Sequence, residues 1–168
     1  DFGQGPALVN QAGKSIKTWF FVMTLCFSRH QYAELVLDQS VETWLGCHRR
    51  AFEWFGGVPR KVIIDNAKCA IIKACYYKPA VQRSYAGYAE QWGFIISACP
   101  VRDPQKKGRV ESGVKYAKKN FMPLRRFVDL ADANHQLQQW VLTTAGQRRH
   151  GSTFKQPRTQ FETIEKST

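Results

Sequence analysis

Lys61-Val62-Ile63-Ile64-Asp65-Asn66 is the run on which the reading of the fold turns. Val62-Ile63-Ile64 is short, continuous and β-branched, with no polar alternation, the pattern of a central parallel strand covered on both faces. Asp65 falls where that strand ends. In open α/β sheets the ends of central strands border the ligand crevice, so a carboxylate there is well placed for chemistry. A turn or a helix cap is the competing reading, because Asp-Asn also starts turns.

Upstream of this run, Lys17 to Leu25 reads as a buried strand, and Arg29 to Leu37 as a more alternating one pairing antiparallel with it. Ser40 caps a helix whose inward stripe is Val41, Trp44, Leu45, His48, Ala51, Phe52 and Phe55, with His48 a packed or rim histidine. Gly56-Gly57-Val58-Pro59 ends that helix. Gly3 to Gly13 reads as a Gly/Pro-containing loop. Downstream, Ala67 to Lys78 is expected to hold a short helix and then an extended piece. From Pro79 a helix resumes, with Val81, Tyr85, Tyr88, Ala89 and Trp92 at helical spacing and Gly93 as its stop. Phe94 to Cys99 is another buried strand, closed by Pro100.

Asp103-Pro104 opens a further helix. Val110, Val114, Ala117 and Phe121 make its apolar stripe, while Lys107, Glu111, Lys115 and Lys118 line a different face. A single carboxylate among lysines is either a solvated ion-pair helix or a metal-binding acid facing a polyanion. Met122-Pro123 breaks this helix. Another runs from about Leu130 to Gln147 with Ala133, Leu137, Trp140, Val141 and Thr144 inward, and the tail from Ser152 to Thr168 is expected to lie across the core. Strands and helices in this order make an α/β layer with a mixed sheet.

The charge is unevenly placed. The 168 residues carry a formal +12, and between Arg102 and Arg126 nine basic residues face two acidic ones, a net +7. Clustered positive charge on a folded, aromatic-containing domain points first to nucleic acid. A membrane surface is second, but no segment approaches the length of a spanning helix. Cys26, Cys47, Cys69, Cys75 and Cys99 are odd in number, with no C-x-x-C pair and no signal peptide, and read as reduced, mostly buried thiols of a cytosolic protein. His30, His48, His135 and His150 lack ligand spacing beside any cysteine, so no structural zinc is expected. The chain opens at Asp1-Phe2-Gly3 without a methionine, which reads as an excised fragment. The same three residues do not make a kinase, for the glycine-rich and catalytic loops are missing.

Three acids hold telling places: Asp1 near the first strand, Asp65 at the end of the central one, and Glu111 on the helix after the last. If the first and central strands are neighbours, Asp1 and Asp65 lie side by side. Two such carboxylates repel, and a divalent cation turns the repulsion into a hard-oxygen site. Two metals roughly 3.5–4 Å apart activate the attacking oxygen and stabilise the leaving oxygen of a phosphodiester. Lys115 and Lys118 follow Glu111 by one and two turns on the same side, suited to the DNA backbone as point charges.

The sequence resembles the Asp-Asp-Glu cores of retroviral-type integrases and bacterial transposases, and most closely the IstA-type transposases of insertion sequences that also encode an AAA+ helper ATPase. Asp1-Phe2-Gly3-Gln4-Gly5-Pro6, Glu53-Trp54-Phe55-Gly56-Gly57-Val58-Pro59-Arg60 and Ile64-Asp65-Asn66-Ala67-Lys68 carry the likeness. So do Lys106-Lys107-Gly108-Arg109-Val110-Glu111, Lys119-Asn120-Phe121 and His150-Gly151-Ser152-Thr153. The resemblance implies a ribonuclease-H-like mixed sheet flanked by helices, with Asp1, Asp65 and Glu111 as catalytic and metal-binding triad for two Mg²⁺ or Mn²⁺ ions. It implies 3′-end nicking and strand transfer of an insertion sequence into target DNA by a homo-oligomer working with the helper ATPase, in the cytoplasm at the nucleoid. Hydrolysis without strand transfer, or DNA binding without catalysis, are the alternatives. The expected DNA contacts are Lys107, Arg109, Lys115, Lys118 and Lys119. Residues 1–150 would form the catalytic core, its first strand cut before Asp1, and 151–168 a C-terminal extension. Forty-five residues separate Asp65 from Glu111, more than in integrases, which puts an insertion at Ala67 to Lys78.

Overall fold

The computed structural model describes residues 2–9, 12–64, 71–73, 80–98, 113–123 and 125–167. Its strands are β1 (Phe2–Val9), β2 (Ser15–Thr24), β3 (Gln31–Val36), β4 (Lys61–Ile64), β5 (Ile71–Lys73), β6 (Ala80–Val81) and β7 (Ile95–Ala98). The helices are α1 (Val41–Phe55), α2 (Arg83–Trp92), α3 (113–120), α4 (Leu130–Trp140) and α5 (Pro157–Thr163).

Strands β1, β2 and β3 form an antiparallel meander, and β4 pairs in parallel with β7. β5 and β6 make a small antiparallel pair. The stretch Gly3 to Gly13, expected as a loop, instead supplies most of β1. Its Gly and Pro hide the strand, because a register shift between Gln4 and Ala7 takes them out of regular pairing. A bulge lets Pro sit in a strand without breaking the ladder. The hydroxyl of Thr18 donates to Pro6 O at 2.6 Å across this irregularity. β3 has an open edge at Leu35, and there Asn134 of α4 stands in for a neighbouring strand. Its amide accepts from Leu35 N–H at 2.6 Å and donates to Leu35 O at 2.9 Å.

α1 begins where expected: the Ser40 hydroxyl accepts Thr43 N–H, and Gly56 closes the helix at φ 72°. α2 starts later than its periodicity predicts, because Val81 belongs to β6 and Gln82 supplies the cap. Gly93 at φ 75° ends it. β4 is parallel as predicted but not covered on both faces among the described residues. Val62 and Ile64 are buried, whereas Lys61 and Ile63 are exposed. Alternation without a polar residue at Ile63 concealed that one-sidedness.

Two apolar clusters flank the β1–β2–β3 sheet. One joins Phe21, Tyr32, Trp44, Phe52, Phe55, Tyr85 and Phe94, and reaches Phe161 of α5, so the tail packs into the core. The other sets Leu8, Phe20, Val22 and Leu35 against Val114, Ala117 and Phe121 of α3 and Leu137 and Trp140 of α4. Beyond Trp140 the helix widens into a π turn, Val141–Ala145. Of the described cysteines, Cys47 is buried as expected and Cys26 is exposed, both as free thiols. Cys26 lies in the tight β2–β3 connection, where Leu25 N–H donates to His30 O at 2.9 Å and leaves Cys26 and Phe27 to solvent while Ser28 stays buried.

Candidate nucleic-acid and metal site

The helix expected to carry Glu111 is described from Gly113 onward. Val114, Ala117 and Phe121 face the sheet and are buried, while Lys115, Lys118 and Lys119 are exposed. The backbone approach is close. A methyl group at Gly3 would overlap the Val114 side chain. At Gly113 it would lie 3.0 Å from Val22 Cγ1 and 3.2 Å from Thr24 Oγ1 and Gln31 Nε2. Two glycines thus let α3 pack closely over β1 and the end of β2, with no room for a side chain at Gly3 and little at Gly113. Gln31 Nε2 donates to Thr24 Oγ1 at 3.1 Å beneath the helix start.

Asp1, Asp65, Glu111, Lys107 and Arg109 lie outside the described residues, as do Cys69, Cys75, Cys99 and most of Ala67 to Lys78. Their nearest described neighbours converge. Phe2 pairs with Phe21, next to Val22 in β2. Ile64, the last residue of β4, lines a cavity of about 410 Å³ together with Val22 and Thr24. Gly113 rests on Val22 and Thr24. Phe2 and Gly113 therefore meet the same short piece of β2, and Ile64 lines a cavity together with it.

Several described acids are engaged elsewhere. Glu34 is buried, and Arg50 donates to both of its oxygens at 2.9 and 3.1 Å. Burial, and then the Glu34 charge, push the Tyr32 hydroxyl and the Cys47 thiol well above their usual ranges. Asp38 is held below the usual carboxylate range by the Thr43 hydroxyl and Ser40, and Asp132 by Val128 N–H and the Gln136 amide. Among the described residues no cluster of three His, Cys, Asp or Glu side chains suits a metal ion.

His48 is buried. Its Nδ1 lies 2.9 Å from Trp44 O, which only accepts, so Nδ1 carries the proton and Nε2 accepts from the Tyr85 hydroxyl at 3.1 Å. Burial lowers its pKa to about 3. It is a packed histidine, as its place on the apolar stripe of α1 predicts. Sequence reasoning missed Thr24, Gln31 and Asn134, whose roles depend on partners from distant elements. It also passed over the arginine–aromatic contacts, Arg125 at 4.6 Å over Phe121 and Arg148 at 3.6 Å over Tyr116.

The chain resembles known proteins along almost its whole length. Residues 4–104 match the integrase core domain family. The transposase for insertion sequence element IS21 of Pseudomonas aeruginosa is 34% identical over 158 residues, covering 94% of this chain and 40% of that protein. The chain thus spans well under two thirds of that relative. The catalytic core domain of BIV integrase superposes with a TM-score of 0.65 at 15% identity, covering 90% of each chain. The HTLV-2 integrase catalytic core domain, solved in complex with magnesium in a trimeric form, gives 0.60 at 9% identity, covering 94% of this chain and 93% of that one. Those likenesses make the fold ribonuclease-H-like. No described helix is long and apolar enough to cross a membrane. With a glycine-seated helix over β2, a parallel β4–β7 pair and a matching stretch of 4–104, the chain belongs to the integrase core domain family, among relatives that include IS21-type transposases.

Proposed function

We propose that this chain is the catalytic core of a transposase that nicks the 3′ ends of an insertion sequence and joins them to target DNA, with Asp1, Asp65 and Glu111 as its acids. The observation that carries this reading is the convergence of Phe2, Ile64 and Gly113, the described neighbours of those acids, around Val22 and Thr24. Three carboxylates are a hard-oxygen donor set suited to Mg²⁺ or Mn²⁺. When bound, two such ions supply charge stabilisation for an in-line displacement at phosphorus. The protein's own part is to hold DNA and aim it. Lys115, Lys118 and Lys119 are exposed on α3, and with Lys107 and Arg109 they would neutralise phosphates along one strand. Residues 1–150 would be the core, and 151–168 an extension clamped to it through Phe161, which stacks on His30 at 4.9 Å. Joining paired ends calls for at least two copies. An AAA+ helper ATPase would be its partner.

The test is a nicking and joining assay of the intact protein on labelled element ends with Mg²⁺. Asp65→Ala and Glu111→Ala are each expected to drop product to background while the melting temperature stays unchanged or rises, since a carboxylate facing another is removed. Full activity in either variant overturns the triad. Cut ends without joined target identify a hydrolase instead.

A further inference from the structure

The sheet face under α3 is apolar until its last rung. Phe20 and Val22 of β2, with Ala33 and Leu35 of β3, are buried in the cluster that packs α3 and α4. Two residues past Val22 and two before Ala33, the same face carries Thr24 and Gln31, which stand opposite each other at the end of the ladder. Their side chains join, Gln31 Nε2 donating to Thr24 Oγ1 at 3.1 Å. An apolar pair of the same shape would cost folding little, because replacing both partners of a hydrogen bond by apolar groups is nearly neutral. Stability therefore does not account for a polar pair at this rung.

What the pair touches does account for it. Gly113 is the first described residue of α3, and a methyl group there would lie 3.2 Å from Thr24 Oγ1 and 3.2 Å from Gln31 Nε2. The pair is thus the floor beneath the chain two residues after Glu111. Thr24 also lines the cavity of about 410 Å³ bordered by Ile64, the residue before Asp65. A hydrogen bond between the two side chains holds them in one arrangement, so α3 meets a fixed surface rather than two free rotors. Such precision matters to chemistry, because displacing a reacting group by about 1 Å costs on the order of 100-fold in rate.

We propose that Thr24 and Gln31 are positioning residues of the joining reaction: their hydrogen bond fixes the seat of α3 at Gly113 and, through it, the spacing of Glu111 from Asp65. The proposal rests on the catalytic reading above, and its test separates the two. The intact protein is made with Thr24→Val, Gln31→Met, both together, Thr24→Ser and, as a reference, Glu111→Ala. Three quantities are measured: nicking rate against Mg²⁺ concentration, Mn²⁺ binding by calorimetry without DNA, and melting temperature. Thr24→Val and Gln31→Met should each lower the maximal rate and weaken Mn²⁺ binding by about 10–100-fold, the usual effect of losing a group that orients metal-binding side chains. The melting temperature should hold, because each change keeps the shape of the side chain. The double variant should fall no further than either single one, since each alone already breaks the bond. Thr24→Ser keeps the hydroxyl and should retain most of the rate. Wild-type rate and Mn²⁺ affinity in both single variants, with Glu111→Ala inactive, would overturn the positioning role and leave the catalytic reading standing. So would a rate loss that only tracks a lower melting temperature while Mn²⁺ affinity stays the same. Full activity in Glu111→Ala would overturn the catalytic reading itself.

Discussion

The two faces of the β1–β2–β3 sheet are packed by different chemistry. Toward α1 and α2, Phe21, Trp44, His48, Tyr85 and Phe94 meet in a web of ring contacts, among them Phe21–Trp44 at 5.6 Å, Trp44–Tyr85 at 5.7 Å and His48–Phe94 at 6.3 Å. Toward α3 and α4 the sheet offers mainly Leu8, Phe20, Val22 and Leu35, and the crossing helix answers with Gly113, Val114 and Ala117. Aromatic rings bury large areas and add edge-to-face attraction, so the first face is a store of stability. The second gains closeness instead: small residues bring a lysine-bearing helix within a methyl group of β1. Phe21, Trp44 and His48 of the aromatic face also line the cavity shared by Val22, Thr24 and Ile64, so the two kinds of packing meet at the candidate site.

That contrast can be broken most forcefully at Phe21, which is fully buried between β1 and α1. Phe21→Ala should cost about 3–5 kcal/mol by denaturant unfolding. A loss below about 1 kcal/mol would mean that the aromatic face is not the main store. A smaller effect is expected at Gly3, where a methyl group would overlap Val114. Gly3→Ala should cost roughly 1–3 kcal/mol as α3 is pushed off the sheet. Its effect on DNA joining should exceed that of an equally destabilising change under α1, and Val114→Ala in the same chain should recover both. Failure of that recovery would show that the close approach does not position α3.

Acid sharpens the comparison at the lowest amplitude. His30, stacked between Trp54 and Phe161, is lowered to about 4, chiefly by burial, as His48 is to about 3. An unfolded histidine takes its proton near 6.5, so below that pH the unfolded chain binds protons that the fold refuses. The stability from both groups is complete above pH 6.5 and falls as pH drops toward 4, by about 1–2 kcal/mol per histidine at pH 5. Melting curves at pH 7.5 and 5 should show the loss, and His30→Gln should remove its share. An undiminished pH slope in that variant would place the titration elsewhere.

Much of this was legible in the residues. The β-branched run at Val62, the Ser40 cap and the Gly56 and Gly93 stops all act through neighbours a few positions away, and each element formed about where they put it. β1 was not legible, because Gly3, Gly5 and Pro6 speak against a strand locally and only pairing with β2 overrides them. The one-sided cover of β4 was hidden for the same reason, since burial is set by what packs on a strand rather than by its own side chains.

Order and spacing of the three acids, the basic excess around α3 and the helical and strand periodicities were determined by the sequence alone, because charge, chain order and local backbone preference are properties of the residues themselves. The tertiary structure decided which positions meet. Gly3 lies under Val114, Asn134 closes the edge of β3, and Arg148 rests on Tyr116. Each of these joins residues far apart in the chain, and such contacts arise only when packing the apolar faces of separate elements brings their backbones together.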